Sequence, residues 1–186
     1  MARVVVTEFV SLDGVMEDPG GGEDFEYGGW SFAFDRGTDG SDFKTDETML
    51  ATGMLLGRRT YEGFAQAWPG REGEFADKFN SMPKYVVSTT LENPEWTNTT
   101  VLDGDPVEAV TKLKQEHDGH FIVHGSAKLV QTLLDHDLVD EVRLMVFPVV
   151  LGKGKPLFGS TGEQKKFRLT ECKSVGEGVA TLVLER

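Results

Sequence analysis

Cysteine is nearly missing from this chain. Cys172 is the only one among 186 residues. That excludes an internal disulfide framework and a cysteine-based metal site, and leaves Cys172 as core or surface filling in a strand. Positive charge is scarce as well: 19 Lys and Arg stand against 31 Asp and Glu, a net charge of −12. This balance argues against nucleic acid or an anionic membrane as the main partner. No apolar run approaches the roughly 18 residues that a membrane span needs. The apolar part of Met1-Ala2-Arg3-Val4-Val5-Val6 is too short for a signal peptide. A soluble, cytoplasmic protein is expected. Internal repeats, low-complexity tracts and an interdomain linker are also lacking, so residues 1–186 read as a single domain. At 39% hydrophobic and 27% charged residues, the chain has the composition of a globular protein.

The hydrophobic pattern alternates between strand and helix. Arg3 to Val10 reads as a buried strand, turned by Ser11-Leu12-Asp13-Gly14. Residues 17–40 read as a long loop whose aromatics, among them Phe25, Tyr27, Trp30, Phe32 and Phe34, either line a site or anchor the loop. Helices are expected over 43–52, capped by Asp42, and over 59–67, 74–80, 106–116 and 127–134. Strands are expected over 54–56, 84–88, 99–102, 120–123 and 141–150. A closing antiparallel hairpin, 166–174 and 179–185, surrounds Gly176-Glu177-Gly178. Such alternation implies an α/β fold with a largely parallel sheet, helices on both faces and an antiparallel edge.

Two strand-to-helix corners carry chemistry. At Leu55-Leu56-Gly57-Arg58-Arg59-Thr60-Tyr61-Glu62 an apolar strand meets a glycine, and two arginines and a threonine open a helix. Helix N-termini leave backbone N–H groups unpaired and carry partial positive charge, so they attract phosphate. Gly57 lets backbone approach a ligand, and the arginines add forked donors in an otherwise acidic protein. The second corner is Ile122-Val123-His124-Gly125-Ser126-Ala127. It holds a single glycine, and the dinucleotide fingerprint G-x-G-x-x-G is absent from the chain. His124 either contacts a ligand or satisfies a local hydrogen bond. Val87-Ser88-Thr89-Thr90, at a strand end, either completes a phosphate site or is turn material. Two such corners in one small chain suggest a phosphate-rich cofactor held between them.

These pieces, in this order, resemble the dihydrofolate-reductase-like superfamily, and within it the C-terminal reductase domain of riboflavin biosynthesis and its stand-alone bacterial relatives. The resemblance runs nearly end to end. Ser11-Leu12-Asp13-Gly14 begins it, Leu56-Gly57-Arg58-Arg59-Thr60-Tyr61-Glu62-Gly63-Phe64 and Tyr85-Val86-Val87-Ser88 follow, and Val123-His124-Gly125-Ser126 and Leu138-Val139-Asp140-Glu141-Val142 continue it. Phe147-Pro148-Val149-Val150-Leu151-Gly152-Lys153-Gly154-Lys155-Pro156-Leu157-Phe158 closes it. The resemblance implies a dihydrofolate-reductase-like mixed sheet of about eight strands flanked by helices, an NADPH site and a homodimer. It assigns the cofactor to Gly57, Arg58, Arg59 and Thr60, to Ser88 and Thr89, and to Gly125, Ser126 and Ala127. No metal is implied. The chain departs from the family where His124 and one glycine replace a glycine pair.

A hydride-transfer enzyme of this kind needs placement of its partners and a proton source. Asp13, just after the first strand, is the leading carboxylate to orient substrate or a water, with the turn before Gly14 as its structural alternative. Glu17 and Glu47 follow; Asp42, Asp46 and Glu47 all lie where the reductases carry a substrate-binding carboxylate. Trp30 is either a stacking platform for a flat heterocycle or a buried anchor. Two functions remain open. One is an NADPH-dependent reductase of a small pterin- or pyrimidine-like heterocycle. The other is a non-catalytic dimeric module that binds a nucleotide or metabolite on the same fold.

Overall fold

The computed structural model describes residues 1–159 and 162–186. Eight strands form one sheet in the order β4-β3-β2-β5-β1-β6-β8-β7. They are β1 (Arg3–Ser11), β2 (Gly53–Gly57), β3 (Lys84–Val87), β4 (Thr99–Leu102), β5 (His120–Val123), β6 (Glu141–Phe147), β7 (Arg168–Val175) and β8 (Val179–Glu185). The six strands from β4 to β6 are parallel, and the β7–β8 hairpin is antiparallel. Helices α1 (Gly37–Leu50), α2 (Arg58–Ala67), α3 (Glu74–Ser81), α4 (Pro106–Glu116) and α5 (Ala127–Asp135) cover the sheet. The α/β architecture expected from the sequence, a mostly parallel eight-stranded sheet flanked by helices with an antiparallel hairpin at its edge, is the one observed.

Alternate residues of each central strand feed different layers, because successive side chains leave a strand on opposite faces. Val4, Val6, Leu55, Phe121 and Val123 pack with α4 and α5. Val5, Met54, Leu56 and Ile122 pack with α2 and α3. Thus β2 and β5, hydrogen-bonded neighbours, send their following helices to opposite faces. A crevice must open beyond their C-terminal ends, the usual ligand position in an open parallel sheet.

Three expectations are corrected. Residues 17–40 are not one loop: Trp30–Ala33 form a 3₁₀ turn and α1 begins at Gly37. Asp42 therefore lies inside α1 and does not cap it. In its first turn Gly40 packs directly on the sheet, where an added Cβ would sit 3.1 Å from Met145 and 3.2 Å from Val175. Third, the strand expected over 141–150 stops at Phe147, where Pro148 removes a donor from the ladder.

Candidate functional site: a cleft between two helix N-termini

The two corners singled out in the sequence meet. Gly57 N–H donates to Ser126 Oγ at 2.8 Å, and Ser126 Oγ donates to Thr60 Oγ1 at 2.9 Å. Both sides of this junction are crowded. Gly125 has φ +59°, and a Cβ there would lie 2.9 Å from Thr60; a Cβ on Gly57 would lie 3.2 Å from Ser126 Oγ. Ser126 itself is left-handed at φ 63°, a conformation that costs a non-glycine residue about 1 kcal/mol or more. The strain turns the N-terminus of α5 toward that of α2.

Above the junction lies a cleft of about 280 Å³. Gly57, Arg58, Arg59, Thr60, Gly125, Ser126 and Ala127 all line it. Ser88 and Thr89 do not: the Ser88 hydroxyl accepts from the Thr90 and Leu91 amides and closes its own turn. The two arginines differ. Arg58 is held by Glu62 at 2.8 Å, one helical turn away. Arg59 is exposed and makes no hydrogen bond or ion pair among the described residues, so its guanidinium is available to a ligand.

The opposite wall joins two distant sequence motifs. Asp13 accepts from Ser11 Oγ (2.6 Å), Leu151 N–H (3.1 Å) and Gly152 N–H (2.8 Å). These donors, the Ser11 hydroxyl foremost, hold its pKa down at about 2. Glu17 pairs with the Lys155 ammonium and accepts from Lys155 N–H at 2.9 Å, and the bond to the Lys155 side chain lowers its pKa. Glu17 and Lys155 face the cleft; Asp13 stands outside its lining and clamps the turn.

Glu47 lies elsewhere. It is buried at 3% exposure on the sheet face covered by α1. It accepts from Thr7 Oγ1 at 2.6 Å and pairs with Lys44, which donates to the same hydroxyl at 2.6 Å. His124 lies near this group, with the Phe79 ring 5.4 Å away. Burial pushes its pKa well down, and its Nε2 has no hydrogen-bond partner among the described residues. Trp30 is 7% exposed, donates from Nε1 to the Glu17 carbonyl at 2.8 Å and meets Phe147 edge-on; it anchors the wall that carries Glu17.

Sequence reasoning missed Met16, Asp18, Glu23, Lys128, Leu129 and Lys155, which also line the cleft. It missed Glu8, a carboxylate 6% exposed in the middle of β1. The signal was present: a lone Glu within Val-Val-Val-Thr-Glu-Phe-Val-Ser. Among the described residues no group of His, Cys, Asp and Glu could hold a metal ion, and no helix is long and apolar enough to cross a membrane.

The model of the RibD C-terminal domain family matches residues 2–181, and the chain belongs to that family. The uncharacterized protein YyaP of Bacillus subtilis (strain 168) is 29% identical over 187 residues, covering 97% of this chain and 93% of that protein. A crystal structure of a Shewanella sp. PV-4 protein provisionally assigned to riboflavin biosynthesis superposes with a TM-score of 0.78 at 21% identity, covering 99% of this chain and 98% of that one. Dihydrofolate reductase from Enterococcus faecalis, complexed with NADP(H), superposes with a TM-score of 0.58 at 13% identity, covering 99% and 96%. At these identities the two structures establish the shared fold.

Proposed function

We propose that this member of the RibD C-terminal domain family is an NADPH-dependent reductase that acts on a small pterin- or pyrimidine-like heterocycle. One observation carries the reading: two helix N-termini from adjacent parallel strands converge on a cleft beside Arg59, which has no ion pair among the described residues. The residues fit a dinucleotide. Gly57 and Gly125 leave backbone bare where a phosphate must approach, and a side chain at 125 would meet Thr60. The free amides opening α2 and α5 suit a diphosphate, and Arg59 suits the extra 2′-phosphate. Lys128 adds positive charge to a lining that also holds the Glu17–Lys155 pair, Asp18 and Glu23.

When bound, the nicotinamide would supply the hydride; the chain binds, orients and excludes water. Asp13 maintains the Ser11–Gly14 turn, and the Glu17–Lys155 pair holds the opposite wall. Asp13, Glu17 and Glu47 are each already engaged by donors of the protein. This engagement also favours the second reading, a nucleotide-binding module without catalysis.

Titration with NADPH and NADH tests the proposal. Micromolar NADPH binding with a clear preference over NADH, and NADPH oxidation with a heterocyclic acceptor, is the expected result. Binding without turnover by any such acceptor selects the second reading. No binding of either nucleotide defeats both the cofactor assignment and the reductase reading.

A further inference from the structure

Strand β7 ends the sheet. Every residue from Arg168 to Ser174 is exposed, and only Val175 is buried. An edge strand presents a row of backbone N–H and C=O groups that can pair with another chain. The inner side of β7 is already used. β8 pairs with it antiparallel, and α1 lies against both strands on one face. On the other face Leu182, Leu184 and Phe167 pack against the α4–α5 core. Among the described residues no backbone hydrogen bond leaves the outer side of β7. The opposite edge of the sheet is less open: β4 has four residues, three of them half-buried.

The side chains fix how a second copy would sit. Glu171, Cys172 and Lys173 lie in regular register against Val183, Leu182 and Thr181, beyond the bulge between Leu169 and Glu171. Successive side chains alternate faces. Glu171 and Lys173 therefore share one face, where they touch at 2.9 Å with side chains 45% and 65% exposed. Cys172 projects from the other face as a free, exposed thiol. Two copies of one strand joined about a two-fold axis run antiparallel, and each residue faces the one equally far beyond the axis. An axis at Glu171 or at Lys173 sets like charges directly opposite. An axis at Thr170 sets Glu171 against Leu169, and one at Ser174 sets Lys173 against Val175. An axis at Cys172 sets Glu171 of each copy against Lys173 of the other. Opposite charges facing across antiparallel strands stabilise the pairing and like charges oppose it, so charge selects this last register.

We propose that the outer edge of β7 is an interface between two copies of this chain, paired antiparallel about a two-fold axis at Cys172, with each Glu171 facing Lys173 of the other copy. The two sheets then run on as one. The contact uses the same edge of both copies and so closes at two. It is short, bounded by the bulge on one side and the hairpin turn on the other, and belongs with small, reversible interfaces. The proposal does not depend on the cofactor reading.

Sedimentation velocity over a range of protein concentrations tests it on the wild type, E171K, K173E and E171K/K173E. The wild type should show a concentration-dependent dimer. Each single variant sets like charges opposite one another twice, and should raise the dimer dissociation constant about tenfold or more. The double variant restores both pairs in reverse and should return to the wild-type constant. E171K and K173E, each weak alone, should associate when mixed, because one copy then offers two ammonium groups and the other two carboxylates. A wild type that is monomeric throughout, single variants that dimerise like the wild type, a double variant no better than the singles, or single variants that ignore each other each overturn the proposal. If the variants do not fold, oxidation of the wild type with copper phenanthroline decides. Facing Cα atoms of an antiparallel pair lie about 4.5–5.5 Å apart, within disulfide reach. A dimer linked through Cys172 supports the proposal, and a Cys172 that stays a free thiol overturns it.

Discussion

The cleft and the α1 face hold charged side chains in opposite ways. At the cleft Arg59 stands exposed with no hydrogen bond or ion pair among the described residues, and Arg58 is tied to its surface neighbour Glu62. Beneath α1, Glu47 is buried and half-buried Lys44 is tied to it directly and through Thr7, while Glu47 Oε2 has no hydrogen-bond partner among the described residues. Free charge at a surface is available to a ligand; charge locked inside a core fixes how a helix sits. The first arrangement is suited to recognition and the second to architecture, so substitutions should separate binding from stability.

The largest effect should come from the α1 face. Lys44→Met leaves Glu47 buried without its partner, and loss of about 3–5 kcal/mol is expected, read as a lower melting temperature. The double variant K44M/E47L should regain most of it. A loss under about 1 kcal/mol would be that of a surface pair and would erase the contrast.

Next comes the junction. Gly125→Ala meets both a left-handed backbone and Thr60 at 2.9 Å, so a loss of about 1–3 kcal/mol in stability is expected, together with weaker NADPH binding. Unchanged affinity would detach the corner from the cofactor.

Arg59→Ala should do the reverse of Lys44→Met. Stability stays within about 0.5 kcal/mol, while NADPH binding weakens by about 1.5–3 kcal/mol, tenfold or more, and NADH binding hardly changes. Arg58→Ala should cost less, because Glu62 already competes for that guanidinium. Equal losses for both nucleotides would contradict a 2′-phosphate role.

The smallest effect belongs to the Asp13 clamp. Its pKa is lowered to about 2 by the Ser11 hydroxyl and the 151–152 amides. A lowered carboxyl pKa means that the unfolded chain takes up its proton first, so the contribution is complete above about pH 4 and disappears as pH falls toward about 2. Acid melts of the wild type should lose stability over that window relative to Asp13→Asn. The difference is small, because Asp13 is exposed.

The two corners were legible because each is local: strand, glycine, polar residues and helix follow within a few positions. Most strands and the closing hairpin were legible for the same reason. Helix α1 was not fully so. Its inward face includes Gly40, Lys44, Glu47 and Thr48, spaced as a helix requires but polar, so no apolar stripe announced its first turn. Glu8 escaped because the residues around it read as an ordinary buried strand. Ser88 stays out of the cleft because its hydroxyl is engaged within its own turn, and Thr89 lies outside the lining.

Sequence alone determined the element order, the acidic surface and the two phosphate-suited helix starts, since periodicity and backbone chemistry act over a few residues. Tertiary structure decided which groups are charged, paired or exposed. It joined Gly57 to Ser126 across 69 positions and tied Asp13 to Gly152 across 139. It buried Lys84 against the Asn80, Met82 and Thr97 carbonyls, and it left Glu8 Oε1 buried without a hydrogen-bond partner among the described residues. Each of these depends on the distance to a residue remote in the chain and on the water removed between them, and only the folded arrangement sets both.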